Sequence, residues 1–261
     1  MILTSLRRRG LTLIELTVVL LVLAAVAGII VPRLTGYFVR AHGASGATNI
    51  GETVKAIGLY EVNNGGNMPN NWDTFVINPT TTTIVGDMGL TGGDLAAINV
   101  PTAGEDALIA AGITNLLYVD NDGTNFNGPD ATYTPYATPT PVAINNDATP
   151  TAMAGLTASG IQALGLQGVA GDYVVLGLGS QNTLIGNGIV DAPVHFPETS
   201  AVPQEIYSRF LAVFRLSDDG GTTYFERAKL ATVAAVHNGE VAGLGDHTAE
   251  YFEGAEQASA N

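Results

Sequence analysis

The strongest constraint on this chain lies at positions 11–31, an apolar run of 21 residues that carries one charged side chain, Glu15. Arg7, Arg8, Arg9 and then Gly10 stand directly before it. As a helix the run is about 31 Å long, close to the roughly 30 Å of a bilayer's hydrocarbon core. The expectation is a transmembrane helix over 11–31. The three arginines, against the thinner cover of Arg33 and Arg40 behind the run, put the N-terminus in the cytoplasm and residues 32–261 across the membrane. Ile29-Ile30-Val31-Pro32 closes the run where a secretory signal has its small-residue cleavage pattern, so the segment is expected to stay on the mature chain. A carboxylate in such a span costs about 2.5–3.5 kcal/mol on the mildest insertion scale. Glu15 therefore reads as a functional group awaiting a partner, and the other reading is a plain signal anchor that happens to hold one acid.

Gly10-Leu11-Thr12-Leu13-Ile14-Glu15 behind a basic leader resembles the class III signal of type IV prepilins and type II secretion pseudopilins. That signal is a basic leader, Gly, an apolar first mature residue (usually Phe), then Thr-Leu-Ile-Glu. This chain departs from it only in Leu11, and Pro32 falls where pilins commonly kink their long helix. The resemblance covers roughly the first 40 residues. It implies that a prepilin peptidase cuts between Gly10 and Leu11 and methylates the new Leu11 amine, and that Glu15 pairs with the N-terminal amine of a neighbouring subunit. It further implies a homo-oligomeric helical filament built on an inner-membrane assembly platform. The precursor would be a single-pass inner-membrane protein, and the assembled form a periplasmic or cell-surface filament. Two alternatives stay open: a minor tip pseudopilin of a type II secretion system, and a monomeric membrane-anchored binding protein that uses the prepilin signal.

Behind residue 40 the chain is acidic, with 23 Asp and Glu against Lys55, Arg209, Arg215, Arg227 and Lys229. Such a surface repels phosphate backbones, so no nucleic acid is expected to bind through the globular part. There is no cysteine. Closure of the C-terminal region, which many pilins lock with a disulfide, must here come from packing, hydrogen bonds or a metal.

The expected fold class is α+β, with a long N-terminal transmembrane helix packed on a C-terminal antiparallel β-sheet in the pilin manner. The expected organisation is a cleaved leader at 1–10, a helix over 11–64 and an extracytoplasmic domain over 65–261. Thr48, Ile50, Val54, Ile57 and Tyr60 or Glu61 give a loose helical face, and Asn63-Asn64-Gly65-Gly66 stops the helix. Glycines at 43, 46, 51 and 58 each cost about 1 kcal/mol against Ala, so this stem needs tertiary support. Positions 95–100 and 107–111 read as short helices and 115–119 as a strand. The Thr- and Pro-rich stretch 129–151 reads as an exposed loop, since its prolines remove ladder donors. The sheet is expected over 172–240, with strands at 173–178, 206–216 and 222–237. Ser217-Asp218-Asp219-Gly220-Gly221 and Asn238-Gly239 supply hairpin turns. In the second strand, Phe210, Ala212 and Phe214 share one face, and Arg209, Leu211, Val213 and Arg215 the other.

Enzyme motifs are missing. There is no G-x-S-x-G elbow and no phosphate loop, and the four histidines, 42, 195, 237 and 247, form no i, i+4 pair. No enzymatic role is expected. His195 with Glu198 is a possible metal pair, and a surface or sheet-edge histidine is the plainer reading. Asp120, Asp122, Thr124 (through its carbonyl), Asn127 and Asp130 have the oxygen-rich spacing that calcium uses. Gly123 comes too early for an EF-hand, and Asp-Gly pairs also make ordinary turns, so calcium and turn stay open.

Overall fold

The computed structural model describes residues 13–84, 93–118, 142–144, 150–195, 207, 209–237 and 240–260. Along the chain run α1 (Leu13–Asn63), β1 (Trp72–Thr74), β2 (Val76–Asn78), β3 (Thr81–Ile84) and β4 (Leu95–Val100). Next come α2 (Thr102–Ala110), β5 (Asn115–Tyr118), β6 (Val142–Ala143), β7 (Thr151–Leu156) and α3 (Ala158–Ala163). The chain ends with β8 (Tyr173–Gly177), β9 (Leu211–Ser217), β10 (Tyr224–His237), β11 (Glu240–Ala242) and α4 (Leu244–Ala260). Two compact units result, one made of residues 1–43 with 249–261 and the other of 44–248.

The transmembrane expectation is corrected. Among the described residues no helix is long and apolar enough to cross a membrane. Glu15 stands within the apolar part of α1, where a carboxylate costs about 2.5–3.5 kcal/mol in a bilayer.

The sheet corrects the rest of the expected fold class. The fold is α+β, but its nine-stranded sheet is mixed, in the order β11-β10-β9-β8-β1-β5-β6, with β7 joining β8 and β4 joining β7. Five of its strands precede position 172. β1 and β5 pair in parallel, Trp72 opposite Leu116 and Thr74 opposite Tyr118. Only hairpins announce themselves locally, and a parallel pair needs a long crossover, here the segment holding β4 and α2. Positions 95–100 are strand rather than helix: β4 pairs in register with the fully buried β7, from Leu95–Leu156 to Val100–Thr151. A short apolar run takes its structure from its neighbours. Within the expected Thr/Pro loop, Val142–Ala143 forms the outermost strand, a place where a preceding proline does no harm.

Both faces of the sheet are covered, so the alternation of β9 sorts two cores rather than core and solvent. Phe210, Ala212 and Phe214 join α1 residues Ile50 and Ile57 and Trp72 in one core. Leu211 and Val213 join Tyr173, Tyr207 and Val236 in the other. Trp72 meets Phe214 edge to face at 5.3 Å, and its indole N–H donates to the Pro69 carbonyl at 2.6 Å.

In the unit 44–248, the buried stripe of α1 is Gly46, Ile50, Thr53, Ala56 and Ile57, an i, i+4, i+7, i+10, i+11 series. Thr48 and Val54, which the expected face included, are exposed. Gly46 is required by close approach: a Cβ there would lie 2.7 Å from the His247 ring. The helix end is held by Arg227, whose guanidinium donates to Glu61 at 2.8 Å and to the Gly66 carbonyl. In the other unit, the Arg40 guanidinium donates to the Tyr251 hydroxyl at 3.1 Å, and His42 Nδ1 lies 3.3 Å from Glu250. α4 has no counterpart in the sequence reading. Its start carries one recognisable signal, Gly243 with Asp246 three residues on, whose carboxylate accepts the Gly243 N–H at 2.7 Å.

Candidate functional site

Two groups of residues stand out, an apolar sleeve near the start of α1 and a knot of histidines in the unit 44–248. The sleeve follows from composition. Val18, Val19, Leu20, Leu21, Val22 and Leu23 are six successive apolar side chains, each 50–72% exposed. With 3.6 residues per turn, six successive positions face every direction, so the sleeve has no polar side to give to water. Leu13, Ile14 and Leu16 extend it toward the N-terminus, with Glu15 between them in the first helical turn.

The other assembly residues are placed less fully. Pro32 lies within α1, which stays helical through that position. Gly10 and Leu11 lie outside the described residues, as do all five candidate calcium ligands, Asp120, Asp122, Thr124, Asn127 and Asp130. Glu198 also lies outside them, so its pairing with His195 has no structural counterpart here.

His195 itself is buried, 5% exposed, and so is neither a surface nor a sheet-edge histidine. It meets two others. His195 and His247 have ring centroids 4.7 Å apart, His237 and His247 5.5 Å, and His195 and His237 5.9 Å. His237 ends β10, His247 lies early in α4, and His195 follows Val194, which bridges to Arg209. Phe210 packs 6.0 Å from the His195 ring, and Gly46 of α1 leaves room for that of His247. Among the described residues, three of the chain's four histidines thus share one site. Sequence reasoning missed it because spacings of 42 and 10 residues carry no local pattern.

The remaining buried polar groups brace the scaffold. The Tyr207 hydroxyl donates to Asp73 at 2.8 Å, and Gly179 leaves that carboxylate the space a side chain would fill. Burial, then the Asp73 charge, drives the Tyr207 phenol well above its ordinary value, against the opposing charge of Arg209. Asp172 accepts from Ser217 at 2.6 Å and from the N–H groups of Val169 and Gly220 at 2.8 Å. Burial pushes its carboxyl up, but those hydrogen bonds and the Arg215 charge outweigh it and hold the group below its ordinary value. Glu105, fully buried in α2, accepts the Thr151 N–H at 2.8 Å. Asp172 thus anchors backbone turns, and Glu105 the start of β7.

No protein-family model matches the chain, and neither a curated protein nor a solved structure matches it.

Proposed function

We propose that this chain is the structural subunit of a filament of the type IV pilus or type II secretion pseudopilus kind, and that it polymerises through the start of α1. The observation that carries the reading is the sleeve at 18–23, apolar and exposed on every side. A helix apolar all round demands burial. Identical copies bundled along their α1 sleeves meet that demand.

Glu15 supports the choice of self-association over a featureless apolar contact. A single carboxylate in an apolar bundle is tolerated only opposite a cation, so it sets one register between neighbours. A methylated amine at Leu11, four residues before Glu15, is a cation that every copy would bring. The prepilin peptidase and the assembly platform are the partners this reading requires.

The test is the state of the chain on cells. Filaments sheared from the surface should contain it as a polymer, and mass spectrometry should find it starting at N-methylated Leu11. A mature chain that keeps Met1 or starts after Pro32, or one never found in a polymer, overturns the reading.

A further inference from the structure

We propose that His195, His237 and His247 are ligands of a divalent transition-metal ion of the zinc class, which fastens the C-terminal part of the unit 44–248. The geometry points there first. A zinc–imidazole bond of about 2.0–2.1 Å, with about 1.1 Å more to the ring centre, puts each centroid about 3.2 Å from the metal. Two such rings at a tetrahedral angle have centroids about 5.2 Å apart. The observed separations of 4.7, 5.5 and 5.9 Å fall on both sides of that value. His237 and His247 also offer ring nitrogens within 4.8 Å of each other, so a small movement of the rings brings both onto one ion.

Chemistry points the same way. Three imidazoles meeting in one place are a donor set that a divalent cation commonly takes. Imidazole donors select zinc, copper, nickel or iron over calcium or magnesium. The placement gives the metal a purpose in a chain without cysteine: it ties the end of β10, the start of α4 and the segment before 196, which are joined by no disulfide.

The test uses the full-length chain in detergent, with zinc(II) and cobalt(II) as probes. The purified protein should take up one zinc per chain, and cobalt(II) should give the visible spectrum of a tetrahedral nitrogen-rich site. A zinc-selective chelator should lower the melting temperature, and added zinc should restore it. His237→Gln, at a half-buried strand end, should weaken zinc binding by more than the roughly 10–100-fold that loss of a mere outer-sphere partner brings. Absence of zinc uptake by the unaltered chain, or uptake unchanged in His237→Gln, overturns the proposal. The chelation arm needs no variant to fold. Failure here leaves the filament reading untouched, since Leu11 processing and shear yield are measured independently.

Discussion

The two parts of α1 use the same backbone for opposite ends. Positions 18–23 are apolar at every step and exposed on every side, while positions 46–57 bury one stripe and expose the opposite face. The second part has the ordinary amphipathic logic of a helix on a sheet, with Ile50 and Ile57 in the core and Val54 and Leu59 outside. Glycines that weaken it in isolation are tolerated because packing, rather than propensity, holds it. Among the described residues, the side chains of the first part stay at least half exposed all round. Helicity is thus secured in the second part by tertiary contact, and under the filament proposal the first part gains its cover from neighbouring copies. Substitutions in the first part should change assembly and leave folding alone, and those in the second should do the reverse.

The largest effect should come from Glu15→Val. Stranding the Leu11 amine in an apolar bundle costs roughly 3–5 kcal/mol per contact, enough to abolish sheared filament while urea unfolding of the chain stays unchanged. Normal filament yield would remove the main physical support for the polymer. Ile57→Ala should lower unfolding stability by about 2–5 kcal/mol, because its side chain is fully buried. Leu59→Ala, two residues on and exposed, should stay within about 0.5 kcal/mol, and equal losses at the two sites would break the stripe assignment.

Gly46→Ala should cost about 1–3 kcal/mol by overpacking, since its Cβ would press on the buried His247 ring. Asp172→Asn, in the sheet scaffold, should cost about 1–3 kcal/mol at neutral pH through weakened charge-assisted hydrogen bonds. Because the folded carboxyl is held below its ordinary value of 3.8, its contribution is complete above that pH and disappears as pH falls through the lower folded value. The variant should therefore lose less stability than the parent between neutral pH and pH below 3.8, and parallel pH profiles would contradict this. One small effect should be a gain: Gly51→Ala meets nothing within 4 Å and should add about 0.5–1 kcal/mol by stiffening the unfolded chain. A loss there would mean that the face is covered after all.

Legibility followed locality. The β9–β10 hairpin could be read because Ser217–Gly221 carries its turn in adjacent residues, and Gly220 and Gly221 do adopt positive φ. The alternation of 210–214 was readable for the same reason, although which face met solvent was not, since neither does. By contrast, β4 became a strand only because β7, more than 50 residues on, lies beside it. The stem's stripe was read rightly at Ile50 and Ile57 and wrongly at Thr48 and Val54, and Gly46 was missed because a glycine gives no hydrophobic signal. His195, His237 and His247 left no motif, since a strand end, a helix start and an irregular segment bring them together.

The sequence by itself determined the apolar sleeve with its single acid, the acidic exterior and the hairpin turns, because each depends on side-chain chemistry within a few residues. The tertiary structure alone decided the parallel pairing of β1 with β5, the two-sided burial of the sheet and the meeting of the three histidines. Those depend on which distant segments share an edge or a face, and that follows from the joint burial of many weak preferences, none of which is written at any one position.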